Sequence, residues 1–169
     1  ALDLRLALPL KEMDDSTVDG EYRFGANRLW LVDGLPVLED AGGRLRFTAD
    51  TLSMPEARAQ FLGAPARVTA RTQPDGTVRF EAGGALNASA LAAIWDTPLT
   101  DHLSGSAPWR AVVQIDKGAT RLEVDSELAE LSSSLPAPLN KRAGERWPLR
   151  VRFEAPSDAA APAARAPRT

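Results

Sequence analysis

Residues 109–124 read WRAVVQIDKGATRLEV. Trp109, Ala111, Val113 and Ile115 occupy every second position, and Leu122 and Val124 do the same beyond Lys117-Gly118. Successive side chains of a strand point to opposite faces, so each set shares one face. Lys-Gly between two such runs turns the chain, and the segment reads as a β-hairpin with one apolar and one polar face.

The same period of two extends outward in both directions. Leu2, Leu4, Leu6 and Leu8 alternate with Asp3, Arg5 and Ala7. After an acidic, turn-like stretch at 13–20, Tyr22 and Phe24 repeat the pattern, and residues 29–32 form a short apolar strand. Gly42-Gly43 is expected to turn the chain into Leu45 and Phe47, with Arg44 and Arg46 on the opposite face. Val68 and Ala70 lead into Pro74-Asp75-Gly76, where Pro presets φ and Gly supplies a positive φ for a hairpin. Val78 and Phe80 return, with Gly83-Gly84 expected to end their strand. Leu149, Val151 and Phe153 form the last one, opposite Arg150, Arg152 and Glu154. The fold class is mostly β: an antiparallel meander of roughly nine strands with one apolar face.

One helix is predicted at 88–103, capped by Asn87 or Ser89, with Leu91, Ile94 and Trp95 on one side and Pro98 ending or kinking it. A weaker helical segment is predicted at 57–62. The expected organisation is a single β-domain over residues 1–155 and a disordered Ala/Pro-rich tail at 156–169. A sheet with one apolar face must cover it. One short helix is a small cover, so the remainder folds on itself, packs on a neighbour or holds a hydrophobic ligand. Period two alone does not separate a core from a groove.

Composition narrows the function classes. The 169 residues carry a formal net charge of −3 with acids and bases mixed, which is not the basic field of a nucleic-acid binder. No apolar run is long enough to span a bilayer as a helix. With no cysteine, disulfides and thiolate metal sites are excluded. The chain opens on Ala1 directly in a strand pattern and is expected to be a piece of a longer protein.

Residue patterns for catalysis are missing. His102 is the single histidine, and its neighbours Asp96 and Asp101 match no metal-ligand spacing; it reads as a helix-end or surface residue. Ser104-Gly105-Ser106 is not a nucleophile elbow. The acid pairs Asp14-Asp15 and Glu39-Asp40 read as solvated turns, because adjacent strand residues face opposite ways. Gly83-Gly84 lacks the context of a phosphate loop. Of the four tryptophans, Trp95 and Trp109 lie among apolar neighbours, whereas Trp30 and Trp147 remain candidates for a glycan-stacking platform. No catalytic residue, metal or cofactor is assigned.

The stretch at 126–152, SELAELSSSLPAPLNKRAGERWPLRVR, carries more specific information. Its Leu-Pro-x-Pro-Leu-x-Lys bridge at 135–141, set between two strands, resembles a segment of the AsmA-like envelope proteins, in particular their YhdP subgroup. The order of other signals is also similar to that group: the Leu2–Leu8 opener, Gly43–Phe47, Phe61-Leu62-Gly63-Ala64-Pro65, the run from Gly83 to Ile94, and Ser104-Gly105-Ser106-Ala107-Pro108-Trp109. One departure is Glu130, where the pattern has a small residue.

The resemblance implies a periplasmic portion of an inner-membrane protein of a Gram-negative bacterium, with membrane contact made elsewhere in the protein. It implies a curved β-groove that conducts phospholipid between the two membranes without covalent chemistry. The expected partners are phospholipid acyl chains and neighbouring β-modules of the same chain. By alternation, the residues expected to face the groove are Leu4, Leu6, Leu8, Tyr22, Phe24, Leu45, Phe47, Val68, Phe80, Val113, Ile115, Leu122, Val124, Val151 and Phe153. The rival readings are a packed structural or interaction module and a glycan-binding domain.

Overall fold

A computed structural model describes residues 2–7, 17–29, 36–92 and 97–155. Their architecture is one antiparallel sheet. Its strands are β1 (Leu2–Ala7), β2 (Thr17–Leu29), β3 (Leu38–Thr48), β4 (Leu52–Phe61), β5 (Ala64–Thr72), β6 (Val78–Asn87), β7 (Leu103–Asp116), β8 (Ala119–Ser126), β9 (Leu131–Ser133) and β10 (Leu149–Ala155). Each of β1 to β7 pairs with the next in sequence, and β10 completes the row against β8. The short β9 leaves this row and pairs with the first residues of β7. The sheet does not close on itself: β1 and β10 are its two edges.

Turn chemistry explains the tight connections. Leu62-Gly63 between β4 and β5, and Lys117-Gly118 between β7 and β8, all have positive φ. Two consecutive left-handed residues make the hairpin turn whose twist matches the strands it joins. At the β5–β6 turn, the Asp75 carboxylate accepts the Thr77 amide at 2.9 Å. That bond holds the Asp75 carboxyl below the ordinary aspartate range.

Four expectations need correction. Residues 57–61 are not helical but the second half of β4, and Leu62 lies in the turn. The alanine-rich stretch favours a helix locally, but pairing Ala57 with Val68 and Ala59 with Ala66 buries both alanines in the sheet. Gly42-Gly43 is not a turn; it lies inside β3, where a side chain on Gly43 would come within 2.8 Å of the Ala57 Cβ. Gly83-Gly84 likewise lies inside β6, which runs on to Asn87; a Cβ on Gly84 would sit 2.7 Å from the Pro65 carbonyl oxygen. The helix predicted at 88–103 is shorter. Helix α1 covers Ala88–Ala92, a 3-10 turn covers Thr100–His102, and β7 begins at Leu103. Thr97 precedes Pro98, which disfavours helical backbone, and its carbonyl accepts both the amide and the hydroxyl of Thr100. Of the predicted helix, residues 93–96, with Ile94 and Trp95, lie outside the described residues. So do Leu8, Trp30, residues 13–16 and the tail at 156–169, whereas residues 17–20 of the stretch expected to turn are the first residues of β2.

The connection from β8 to β10 folds back on itself. Ser133 and Lys141 exchange both backbone hydrogen bonds, at 2.9 and 3.0 Å, closing the loop that holds Pro136 and Pro138. The Ala137–Pro138 peptide is cis. The Lys141 side chain is 5% exposed, and its ammonium donates to the carbonyls of Leu131 at 2.7 Å and of Ala129 and Arg142 at 3.3 Å. Above it, Leu131 packs with Ala88 and Ala107, so this loop and α1 together cover one end of β7. The lysine of the Leu-Pro-x-Pro-Leu-x-Lys pattern is therefore a structural clasp.

Two stability outcomes are expected. Lys141→Met keeps the volume but leaves three carbonyls without their donor, and should cost about 2–3 kcal/mol in urea unfolding. A loss below about 0.5 kcal/mol would mean that the Ser133–Lys141 backbone pair holds the loop alone. Leu62 is not a glycine yet sits at φ 56. Leu62→Asn should raise stability by about 0.5–1 kcal/mol, read as a higher melting temperature. No change would indicate that the leucine's packing offsets its backbone strain.

Candidate functional site: one apolar sheet face

The strand register turns the alternation of the sequence into rows that cross the sheet. Phe80 stands opposite Val113, Val113 opposite Leu122, and Leu122 opposite Phe153. Ala70 extends this row to β5 and Met54 to β4. The next row runs from Phe24 through Gly43, Ala57, Val68, Ala82, Ala111 and Val124 to Val151. Leu45 pairs with Tyr22, Phe47 with Gly20, and Ile115 with Val78, all on the same face by alternation. Leu4 and Leu6 hold register positions opposite Gly20 and Val18. Twelve of the fifteen residues predicted for the groove thus share one face of the sheet; Leu4 and Leu6 are placed by register alone, and Leu8 lies outside the described residues.

That face is not flat. The rings of Phe61 on β4 and Trp109 on β7 meet with centroids 5.0 Å apart. Between them lie β5 and β6, and three strand spacings on a flat sheet would put β4 and β7 about 14 Å apart. The contact needs two long side chains leaning over small ones, Ala66 and Gly84, across a concave floor. The Trp109 indole nitrogen sits against Gly84 and is buried with no hydrogen-bond partner.

Exposure varies along the rows. Val68, Val113 and Leu122 are 4–6% exposed, covered by their neighbours in the concavity. Phe24, Leu45, Phe47, Phe80, Ile115 and Val124 are half-buried. Toward the two edges the cover runs out: Tyr22, Leu149, Val151 and Phe153 are exposed, the last two at 48% and 45%. Among the described residues no large side chain is completely buried. Among the described residues, therefore, no second protein layer seals the apolar face.

Sequence reading missed several members of this face: Leu52, Met54, Ala57, Ala59 and Phe61 on β4, and Ala64 and Ala66 on β5. On β4 the signal was present but out of phase. Met54 and Ala57 are both buried three positions apart, because Pro55 and Glu56 bulge outward between them. A bulge shifts the alternation by one residue, which breaks a simple period-two count.

The opposite face carries charge. Near β10 it is balanced: Arg150 bonds Asp125 at 2.6 Å, Arg152 bonds Glu123 at 3.1 Å, and Arg121 bonds Glu154 at 2.8 Å. Near β2 one acid is shared. One carboxylate, Glu21, serves Arg23 at 2.9 Å, Arg46 at 3.2 Å and Arg44 at 3.3 Å. The Arg23 hydrogen bond, aided by Arg46 and Arg44, holds Glu21 below the ordinary glutamate range. His102 is exposed and contacts the Ser134 hydroxyl at 3.1 Å. Among the described residues no three acidic or histidine side chains gather as a metal site.

Comparison with known proteins places these features in a lineage. A family model described as "YhdP protein" matches residues 1–165. The Escherichia coli (strain K12) protein named "Intermembrane phospholipid transporter YhdP" is 28% identical over 159 residues, covering 89% of this chain. The match occupies 12% of that relative, so the chain spans about an eighth of its length. No solved structure matches. On the strength of the family match along nearly its whole length, the chain belongs to the YhdP family.

Proposed function

We propose that this chain is one length of a phospholipid conduit in the periplasm of a Gram-negative envelope. The apolar sheet face would hold acyl chains, and neighbouring β-modules of the same protein would continue it. The observation that carries this reading is the unsealed concave face, apolar in consecutive rows from β2 to β10. Kinship with an intermembrane phospholipid transporter supplies the ligand class.

The physics of such a face suits transport better than storage. Each methylene removed from water contributes about 0.8 kcal/mol without directional demands. Rows recur along the strands about every 7 Å, two residues at a time. A chain lying across them meets similar surroundings after each step, so it is held in total yet meets small barriers to sliding. No bond is made or broken. We assign the groove-facing role to the twelve residues that share the face and to Leu4 and Leu6 by register, with Tyr22, Phe24, Leu45, Phe47, Phe80, Val151 and Phe153 as those most open to a ligand.

A second reading, a packed module without ligand, draws on the burial of Val68, Val113 and Leu122. Native mass spectrometry of the purified chain, followed by organic extraction, separates the two. The conduit reading expects co-purified phospholipid, reduced at least severalfold in Phe153→Asp and Val151→Asp. Both side chains are exposed, so these variants should keep the far-ultraviolet circular dichroism and the melting temperature within a few degrees. A chain that is empty, and stays empty when offered phospholipid, would leave the packed module standing. Val113→Asp serves as the contrast: being buried, it should unfold the domain by placing an unpaired charge in the concavity.

A further inference from the structure

We propose that Trp109 is a specificity-determining residue of the apolar face: its indole N–H donates to an ester carbonyl of a phospholipid whose acyl chains lie along the rows. This rests on the conduit reading and names the point of the groove at which the ester end of a lipid is held.

The indole nitrogen is unusual for its surroundings. Among the described residues two side-chain nitrogens are buried without a hydrogen-bond partner, Gln73 Nε2 and Trp109 Nε1. Gln73 lies at the β5–β6 turn with the polar side chains of Asp75 and Thr77. Trp109 lies on the apolar face, in the row that runs by register from Ala59 through Ala66, Gly84, Trp109 and Ser126 to Leu149. Ser126 is the other polar side chain of that row, and it is already committed. Its hydroxyl donates to the Pro108 carbonyl at 2.8 Å and accepts the Leu128 amide at 3.2 Å. A buried N–H without an acceptor carries the full cost of its desolvation. A phenylalanine at 109 would bring aromatic surface to the same concavity without that cost.

The surroundings also select the acceptor. A phosphate or carboxylate brought to this row would place a charge among buried alanines, which is strongly unfavourable. An ester carbonyl is a neutral acceptor, and in a phospholipid it lies where the acyl chains meet the headgroup. Ala66 and Gly84 keep the floor beside the nitrogen low: a Cβ placed on Gly84 would sit 3.4 Å from it. Phe61, half-buried at the end of β4 beside the Leu62-Gly63 turn, leans on the indole with ring centroids 5.0 Å apart. Rotation of that ring about its side-chain bonds opens the indole to the groove without moving the backbone, so a lipid that displaces the ring meets the donor. Acyl chains are then held by area, and the ester by position.

The four tryptophans give four indole N–H resonances, which nitrogen-15 labelling of the chain makes visible. They would be followed during titration with a short-chain diester phosphatidylcholine below its micelle concentration, and with its diether analogue, which has the same chains and headgroup and no carbonyls. The diester should move the Trp109 N–H downfield to saturation and bind about three- to tenfold more tightly than the diether. Trp109→Phe should bind the two lipids equally. The comparison on the native chain needs no variant, so the test holds even where Trp109→Phe fails to fold. Equal binding of both lipids by the native chain, or a Trp109 N–H that stays in place while the diester binds, would overturn the role of Trp109 and leave the conduit reading intact. Binding of neither lipid would overturn both.

Discussion

Among the described residues a single sheet with one apolar side has no opposing layer to hide it, and this constraint shapes the rest of what is described. The hydrophobic effect rewards removal of area from water, whatever performs the removal. Here large side chains lean over small ones within the same face. Phe61 reaches Trp109 across Ala66 and Gly84, and the contact exists because the strands between contribute almost no side-chain volume. The glycines that look like turn signals are instead what lets the concavity form. What cannot be covered in this way remains exposed toward β2 and β10.

The charged side answers a different demand. Its cross-strand ion pairs lie in solvent, where each is worth little on its own. Their placement nonetheless agrees with the register, since Arg150 to Asp125 and Arg152 to Glu123 join directly opposed residues. A slip of one residue would put these charges on the apolar rows. Charge pattern and apolar pattern therefore specify the same pairing, which is the consistency expected of a sequence that encodes one structure.

Much of this was readable from the sequence. Alternation at 109–124 gave both strands and the turn of their hairpin, and the rows of the apolar face follow from the same rule applied strand by strand. It failed where a local signal was opposed by a long-range one. Residues 57–61 have the composition of a helix, yet their partners at 64–68 and in β3 outweigh propensity. The bulge at Pro55-Glu56 concealed the phase of β4. Lys141 stood out by its motif, but its role as donor to three carbonyls depends on a fold-back that no periodicity encodes. Which face is apolar was legible; how far that face is covered was not, because cover depends on curvature.

The order of pairing has a kinetic consequence. From β1 to β8 every strand is hydrogen-bonded to its predecessor, so no pairing in that row waits on a strand distant in sequence. Such a topology has low loop-closure cost, and nearest-neighbour arrays can nucleate at any unit and grow in either direction. A chain of this kind can begin to assemble while its later strands are still being synthesised. Each completed hairpin then presents an edge on which the next is templated. Growth by addition at an edge also means that a longer sheet requires no new kind of connection, only more of the same.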